Sequence, residues 1–323
     1  MSETVTDIIE LGSWSFNKIK LEDSELFSEY IRSTMYPTNL WSSNFAYLWA
    51  LGRSQRKDIL WKIIDGMLVV FAHTARNTLY LMCLPFGKGN PDEVLDVLYK
   101  CLSYCRNWNN NDDSKSVVNT VNSMQLDFLK QSPSFYQYFK TIPLVGLEKH
   151  FSVSRLITLE GKDFRTIRNR INKLKRFHSD ITLRKFSPSD FDEVIEVGRH
   201  WSMTAGQKYS NIFDRVYFPE IIKHFRELNH LVLVAEINGK IVGMVSGAET
   251  PSGQAWACLV KYLSEYEGLC EFLIVEFAKE IHKGNQDIEY MNSGSDLGSK
   301  GLRFFKDRFR PVLSLKRYSI KLR

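Results

Sequence analysis

Two apolar runs, HLVLVAEI (230–237) and KIVGMVSGAE (240–249), flank Asn238-Gly239. Asn-Gly tolerates the positive φ angles of a two-residue turn whose twist matches its flanking strands, so this stretch commits the second half of the chain to an antiparallel hairpin. QAWACLVKY (254–262) adds a third strand. A strand (181–186), a helix capped by Ser187-Pro188-Ser189-Asp190 and running to about 201, and a helix near 213–228 come before the hairpin. After it come a helix from Gly268 to about 282, a strand (288–292), a short helix and a closing strand (310–320).

That order is the order of a GNAT (N-acetyltransferase-like) domain. The first half reads as a shorter version of the same plan. It has a helix at 23–33, strands at 59–64 and 67–72 across Asp65-Gly66, and a strand at 79–85. A helix at 91–108 is apolar along Val94, Leu95, Val97, Leu98, Cys101 and Leu102, and a strand (117–121) and a helix (124–130) follow. Residues 132–154, with Pro133 and Pro143, read as loop-rich. The expected fold is α+β (mixed α/β), with two tandem GNAT-like domains, 1–154 and 155–323, around mostly antiparallel sheets.

A net charge of +6 suits an anionic partner. Much of the bias lies in GKDFRTIRNRINKLKRF (161–177), where Phe164, Ile167, Ile171 and Leu174 form one apolar stripe. Lys162, Arg165, Arg168, Arg170, Lys173, Lys175 and Arg176 surround the other faces, with Asp163 the lone acid; Arg165, Asn169, Asn172 and Arg176 form a second stripe. Such a helix packs by one side and offers a cationic face to phosphates.

Several classes are set aside. The start, MSETVTDIIELGSWSF, is too acidic and its apolar run too short for a signal peptide. No segment reaches the roughly 18 apolar residues of a membrane span, which points to a cytoplasmic protein, at most peripheral on a membrane. The five cysteines lack zinc-ligand spacing and read as reduced, buried thiols, with no metal. PFGKG (85–89) lacks the spacing of a nucleotide phosphate loop, and the histidines form no hydrolytic constellation. Of the [RQ]-x-x-G-x-[GA] turn with which a GNAT domain seats coenzyme A pyrophosphate, only Gly268 fits; Glu265 and Glu267 put negative charge at that helix start.

Three blocks, TNLWSSNFAYLWAL (38–51), LEGKDFRTIRNRINKLKRF (159–177) and IEYMNSGSDLGSKGLRFFKDRFRPVLSLKRY (288–318), together resemble the phosphatidylglycerol lysyltransferase C-terminal-like domain family. The resemblance implies a tandem GNAT-like fold related to Fem-type ligases. It also implies transfer of an aminoacyl group from aminoacyl-tRNA, with no further cofactor, to a lipid headgroup, peptide or small-molecule acceptor. Aminoacyl transfer from an ester needs alignment, oxyanion donors and an escape for the proton. On this reading Arg303 and Lys306 lie near the donor's terminal phosphate or the oxyanion, and Asp296 caps a helix or accepts a proton. Lys261 stands at the mouth of the sheet, and Tyr266 supplies a hydroxyl. Arg165, Arg168, Asn169, Asn172, Lys173 and Arg176 hold phosphate or nucleotide, with Gly268, Asn292, Gly298 and Gly301 in the binding turns. Val260 and Leu263 replace acids found in many relatives, and Ser293-Gly294 follows Asn292 where those relatives carry Arg-Glu, which implies a different acceptor or weaker chemistry. An acyl-CoA-dependent N-acyltransferase and a noncatalytic binding protein on a GNAT scaffold are the alternatives.

Overall fold

The computed structural model describes residues 8–208 and 214–323. The chain divides into two compact units, residues 1–145 with 315–323, and residues 146–314.

The first unit contains β1 (Ile8–Leu11), β2 (Trp14–Lys18), α1 (Ser24–Ser33), α2 (Phe45–Leu51), β3 (Lys57–Ile64), β4 (Met67–Thr74), β5 (Leu79–Leu81), α3 (Pro91–Trp108), β6 (Val117–Asn122), α4 (Ser123–Leu129) and α5 (Ser134–Tyr138). It also takes the first half of β7 (Phe139–Ser152). The Asp65-Gly66 turn has both residues at positive φ (48° and 79°), as the expected hairpin requires. A capping box starts α3: the Asn90 side chain accepts from the Glu93 N–H, and the Glu93 carboxylate accepts from the Asn90 N–H. The apolar side of α3, Val94 to Cys105, packs on Val69, Phe71, Leu79, Leu81 and Val118.

The second unit continues from β7 with α6 (Val153–Thr158), α7 (Arg165–Phe177), β8 (Thr182–Lys185), α8 (Phe191–Met203), α9 (Phe218–Lys223), β9 (Leu231–Ile237), β10 (Lys240–Glu249), β11 (Ala255–Tyr262), α10 (Leu269–Gly284), β12 (Tyr290–Ser295) and α11 (Lys300–Asp307). The last strand, β13 (Leu313–Leu322), begins in this unit and returns to the first, where it pairs antiparallel with β6. The sheet of the second unit runs β7-β12-β11-β10-β9-β8. All its neighbours are antiparallel except β11 and β12, which are parallel and paired only at Ala255–Met291 and Trp256–Asn292. The first unit also has one parallel pair, β5 with β6. One sheet face of the second unit is a core of Phe151, Ala255, Ala257 and Met291 beneath Leu273, Phe277 and Ile281 of α10, closed by the α7 stripe.

Three expectations are corrected. Residues 132–154 are not loop-rich: they hold α5 and the 14-residue β7, where Pro143 occupies an exposed position. Proline is compatible with a strand where its missing N–H is not needed. The division between the compact units lies at 145/146, within β7, and not at 154/155, and residues 315–323 belong with the first unit. The helix expected near 213–228 is shorter. Phe213 lies outside the described residues, and α9 covers only Phe218–Lys223.

Candidate active site

α7 behaves as its pattern requires. Phe164, Ile167, Ile171 and Leu174 are buried, while Arg165, Asn169, Asn172, Lys175 and Arg176 are exposed. Two of the residues expected to hold phosphate are engaged elsewhere. Arg168 turns back to donate to the carbonyls of Leu159 and Gly161. Lys173 pairs with Glu267 at 2.5 Å, an exposed contact of the kind that contributes at most about 1 kcal/mol and is readily exchanged. That pair and Arg170 hold Glu267 below the usual carboxylate range.

The start of α10 is occupied by protein. Gly268 precedes it with φ 92°, and a Cβ there would overlap the backbone carbonyl of Arg170. Glu271, in the first turn and 2% exposed, pairs with Arg170 at 2.8 Å and Arg308 at 2.9 Å. A carboxylate at a helix N-terminus answers the helix dipole, so this end already holds its anion. Gly268→Ala is expected to destabilise the fold by about 1–3 kcal/mol from backbone strain alone, with steric overlap adding to it; urea denaturation measures the loss.

Where β12 parts from β11, its register with β7 also shifts between Asn292 and Ser295. Lys306, 8% exposed, places its ammonium among the carbonyls of this departing stretch, Ser293, Gly294 and Ser295. Asn292, also buried, donates to Glu148 at 2.6 Å and accepts the Gly294 N–H at 2.6 Å. Asp296 is fully buried. One carboxylate oxygen accepts from the N–H groups of Leu147 (3.0 Å) and Gly298 (2.9 Å), and the other from Arg303 Nε at 2.8 Å. Burial raises its pKa, but these three donors outweigh burial and hold it below the usual carboxylate range. Asp296 therefore locks the strand–turn–helix and is a poor proton acceptor; the helix cap itself is Ser299. Gly294 and Gly298 need their positive φ (73° and 71°), whereas Gly301 has open space around it. Arg303 stays about half exposed, with its guanidinium oriented by Asp296.

Lys261, expected at the mouth of the sheet, is 1% exposed. It pairs with Asp214 at 2.5 Å and lies 3.4 Å from the centroid of the Trp201 ring. Burial pulls its pKa down, with Asp214 opposing. Tyr266 is half-buried, edge-on to His178 at 5.0 Å between ring centroids.

The model of the family "Phosphatidylglycerol lysyltransferase, C-terminal" matches residues 38–321. The chain belongs to this family. Among solved structures, a conserved protein of unknown function from Bacteroides thetaiotaomicron is similar at a TM-score of 0.78 and 22% identity, covering 95% of this chain and 99% of that one. L-PGS from Bacillus licheniformis follows at 0.63 and 17%, covering 93% and 91%. A tandem GNAT protein from the clavulanic acid biosynthesis pathway matches at 0.51 and 8%, covering 95% and 98%. No curated protein matches the chain. The fold is thus the expected α+β tandem GNAT-like one, in a family named for a transferase. Among the described residues, no helix is long and apolar enough to cross a membrane.

In this member of the phosphatidylglycerol lysyltransferase C-terminal family, the residues singled out in the sequence fall into three groups. Arg303, Asp296, Lys306 and Asn292 gather at the β12–α11 turn, α7 carries a cationic face linked to the end of α11 through Glu271, and Lys261 is buried with Asp214. Sequence reasoning missed Glu148, His150, Asp214 and His230, all wholly or largely buried. Glu148, Lys149 and His150 form an unbroken polar run in β7 and all three are buried, so the run carries no apolar/polar alternation by which a strand could be recognised.

Proposed function

We propose that the protein is an aminoacyl-tRNA-dependent aminoacyltransferase, moving an aminoacyl group onto an amine or hydroxyl of a lipid headgroup, peptide or small molecule. The observation that carries this reading is the filled N-terminus of α10. In an acyl-CoA enzyme of this fold that end seats the pyrophosphate, whereas here the Arg170 backbone and the Glu271 carboxylate fill it. Family membership then favours a donor held by its polynucleotide. The exposed stripe from Arg165 to Arg176 spans about 16 Å of helix, a length suited to phosphates along a strand. The donor ester is already activated, so the protein mainly aligns it with the acceptor. Arg303, oriented by Asp296, is the cation assigned to the developing oxyanion or the terminal phosphate.

Titration with charged tRNA, uncharged tRNA and acetyl-CoA tests this reading. Both tRNAs should bind, and affinity should fall linearly in log–log plots against salt. Replacing Arg165 and Arg176 by alanine should lower that slope by about one for each phosphate no longer neutralised. Binding of acetyl-CoA without tRNA would overturn the proposal in favour of acyl-CoA transfer. An unchanged slope would remove α7 as the phosphate track.

A further inference from the structure

The C-terminal end of α11 is fastened to α7. Phe309, just past α11, is buried and stacks on Phe151 at 5.3 Å between ring centroids. The arginines on either side of it tie the chain to α7. Arg308 meets the Glu271 carboxylate at 2.9 Å, and the same oxygen meets Arg170 of α7 at 2.8 Å. Arg310, at φ 53°, meets the carboxylate of Asp163, just ahead of α7, at 3.6 Å and donates to the Asp163 carbonyl at 3.3 Å. Within α11, Phe305 supports the Arg308 guanidinium at 5.0 Å, and Arg303 is held by Asp296. Neither contact to Glu271 has the alignment of a hydrogen bond. They are ionic contacts to one shared oxygen, less directional than a bidentate pair, so the carboxylate can trade one partner for the other. Buried as it is, it cannot lose both. Arg170 also approaches the exposed Glu267 at 3.3 Å, and Lys173 shares that carboxylate. Three cations thus share two carboxylates, a surplus of one positive charge. A phosphate complements that surplus, and the partly exposed Arg170 and the exposed Lys173 are the members it can reach.

We infer that Glu271 is a positioning residue: a phosphate taken by Arg170 leaves the carboxylate to Arg308, and the shift is carried along α11 to Arg303. The inference rests on the reading of α7 as the donor's phosphate track. It states how occupation of that track sets the cation assigned to the transfer step. Arg303 and Arg308 stand about 7.5 Å apart along the helix axis, so one short helix spans the distance. With its last turn pinned by Phe309 and its first by Asp296, a pull on Arg308 falls on the whole element. Coupling between two sites is reciprocal, so releasing Arg303 from Asp296 changes the affinity of α7 for phosphate in turn.

The test follows the Nε–H signals of full-length protein carrying 15N-labelled arginine, with tripolyphosphate as the probe. Tripolyphosphate should move the Arg165 and Arg176 signals by direct contact and the Arg303 signal through Glu271. In Glu271→Gln, which frees Arg170, the probe should bind at least as tightly while the Arg303 signal stays still. An Arg303 response that survives in Glu271→Gln marks direct contact with the probe and overturns the inference. Arg170→Gln probes the link without any ligand and should move the Arg303 signal of the free protein. A signal unmoved by that substitution also overturns the inference, and this arm decides alone if Glu271→Gln fails to fold. The two readings fail differently. Probe binding at Arg165 and Arg176 with no Arg303 response rejects the link and leaves the phosphate track standing. No probe binding, together with an Arg303 response to Arg170→Gln, keeps Glu271 as the link and rejects the track.

Discussion

Between pH 6.5 and pH 4 the protein is expected to lose most of its stability, with uptake of protons at His150 and His230. Burial holds His150 at about 4 and His230 at about 3, from an ordinary value of 6.5. Lys306 adds to the depression at His150, and Gln254 opposes it. Both folded values lie below the unfolded one, so the stability is fully present above pH 6.5 and drains away as pH falls towards the folded values. Each depressed unit is worth about 1.4 kcal/mol, so each ring removes about 3 kcal/mol by pH 4, and the pair about 6. That is comparable with the whole stability of many domains. Asp190 and Asp296 are held below 3.8 and act at still lower pH, whereas the exposed Glu196, Glu227 and Glu267, held below 4.5, begin to act at the acidic end of the histidine window. Urea denaturation at pH 7, 5.5 and 4.5 reads the slope directly. His150→Gln and His230→Gln should each flatten it by about one proton, and equal stability at pH 7 and 4.5 would rule out neutral, buried rings.

The second large effect lies at Asp214. Asp214→Ala removes the carboxylate that pairs with the Lys261 ammonium, which is 1% exposed and lies against the rings of Trp201 and Phe218. Removing one partner of a buried pair costs about 3–5 kcal/mol. The sign with pH is distinctive. Lys261 already titrates below its ordinary 10.5, so the unfolded chain holds the proton more tightly, and stability rises as pH climbs through the interval between the folded value and 10.5. Without Asp214 that interval widens downwards, and the variant should regain stability between pH 7 and 9.5 more steeply than the parent. Adding Lys261→Met should recover most of the loss at pH 7, because an apolar chain of similar length suits the aromatic surroundings. Denaturant titrations of the single and double variants across this range give both numbers.

The local signals were legible and the long-range partners were not. Asn238-Gly239 and Asp65-Gly66 form their turns at positive φ, and the α7 stripe is buried residue for residue. These features depend on neighbours within a few positions. Lys261, Lys306 and Glu148 are different, because a charge in a sequence carries no record of its partner. The partner of Lys261 lies 47 residues away and that of Glu148 lies 144 away. Lys306 looks like a catalytic cation until the carbonyls released by the parting of β12 from β11 are in view. Gly268 stands out in the sequence as a turn glycine, and its missing side chain makes room for the backbone of α7.

The return of β13 to β6 has a consequence for synthesis. Ser319 bonds to Val118 across 201 positions, so on a ribosome the first unit waits, one strand short, while all of residues 146–314 emerge. The second unit, contiguous in the chain, has its full complement of strands before the first does. The portion made earliest is thus finished last, and nascent chains halted before residue 315 should present an unpaired β6 edge to chaperones.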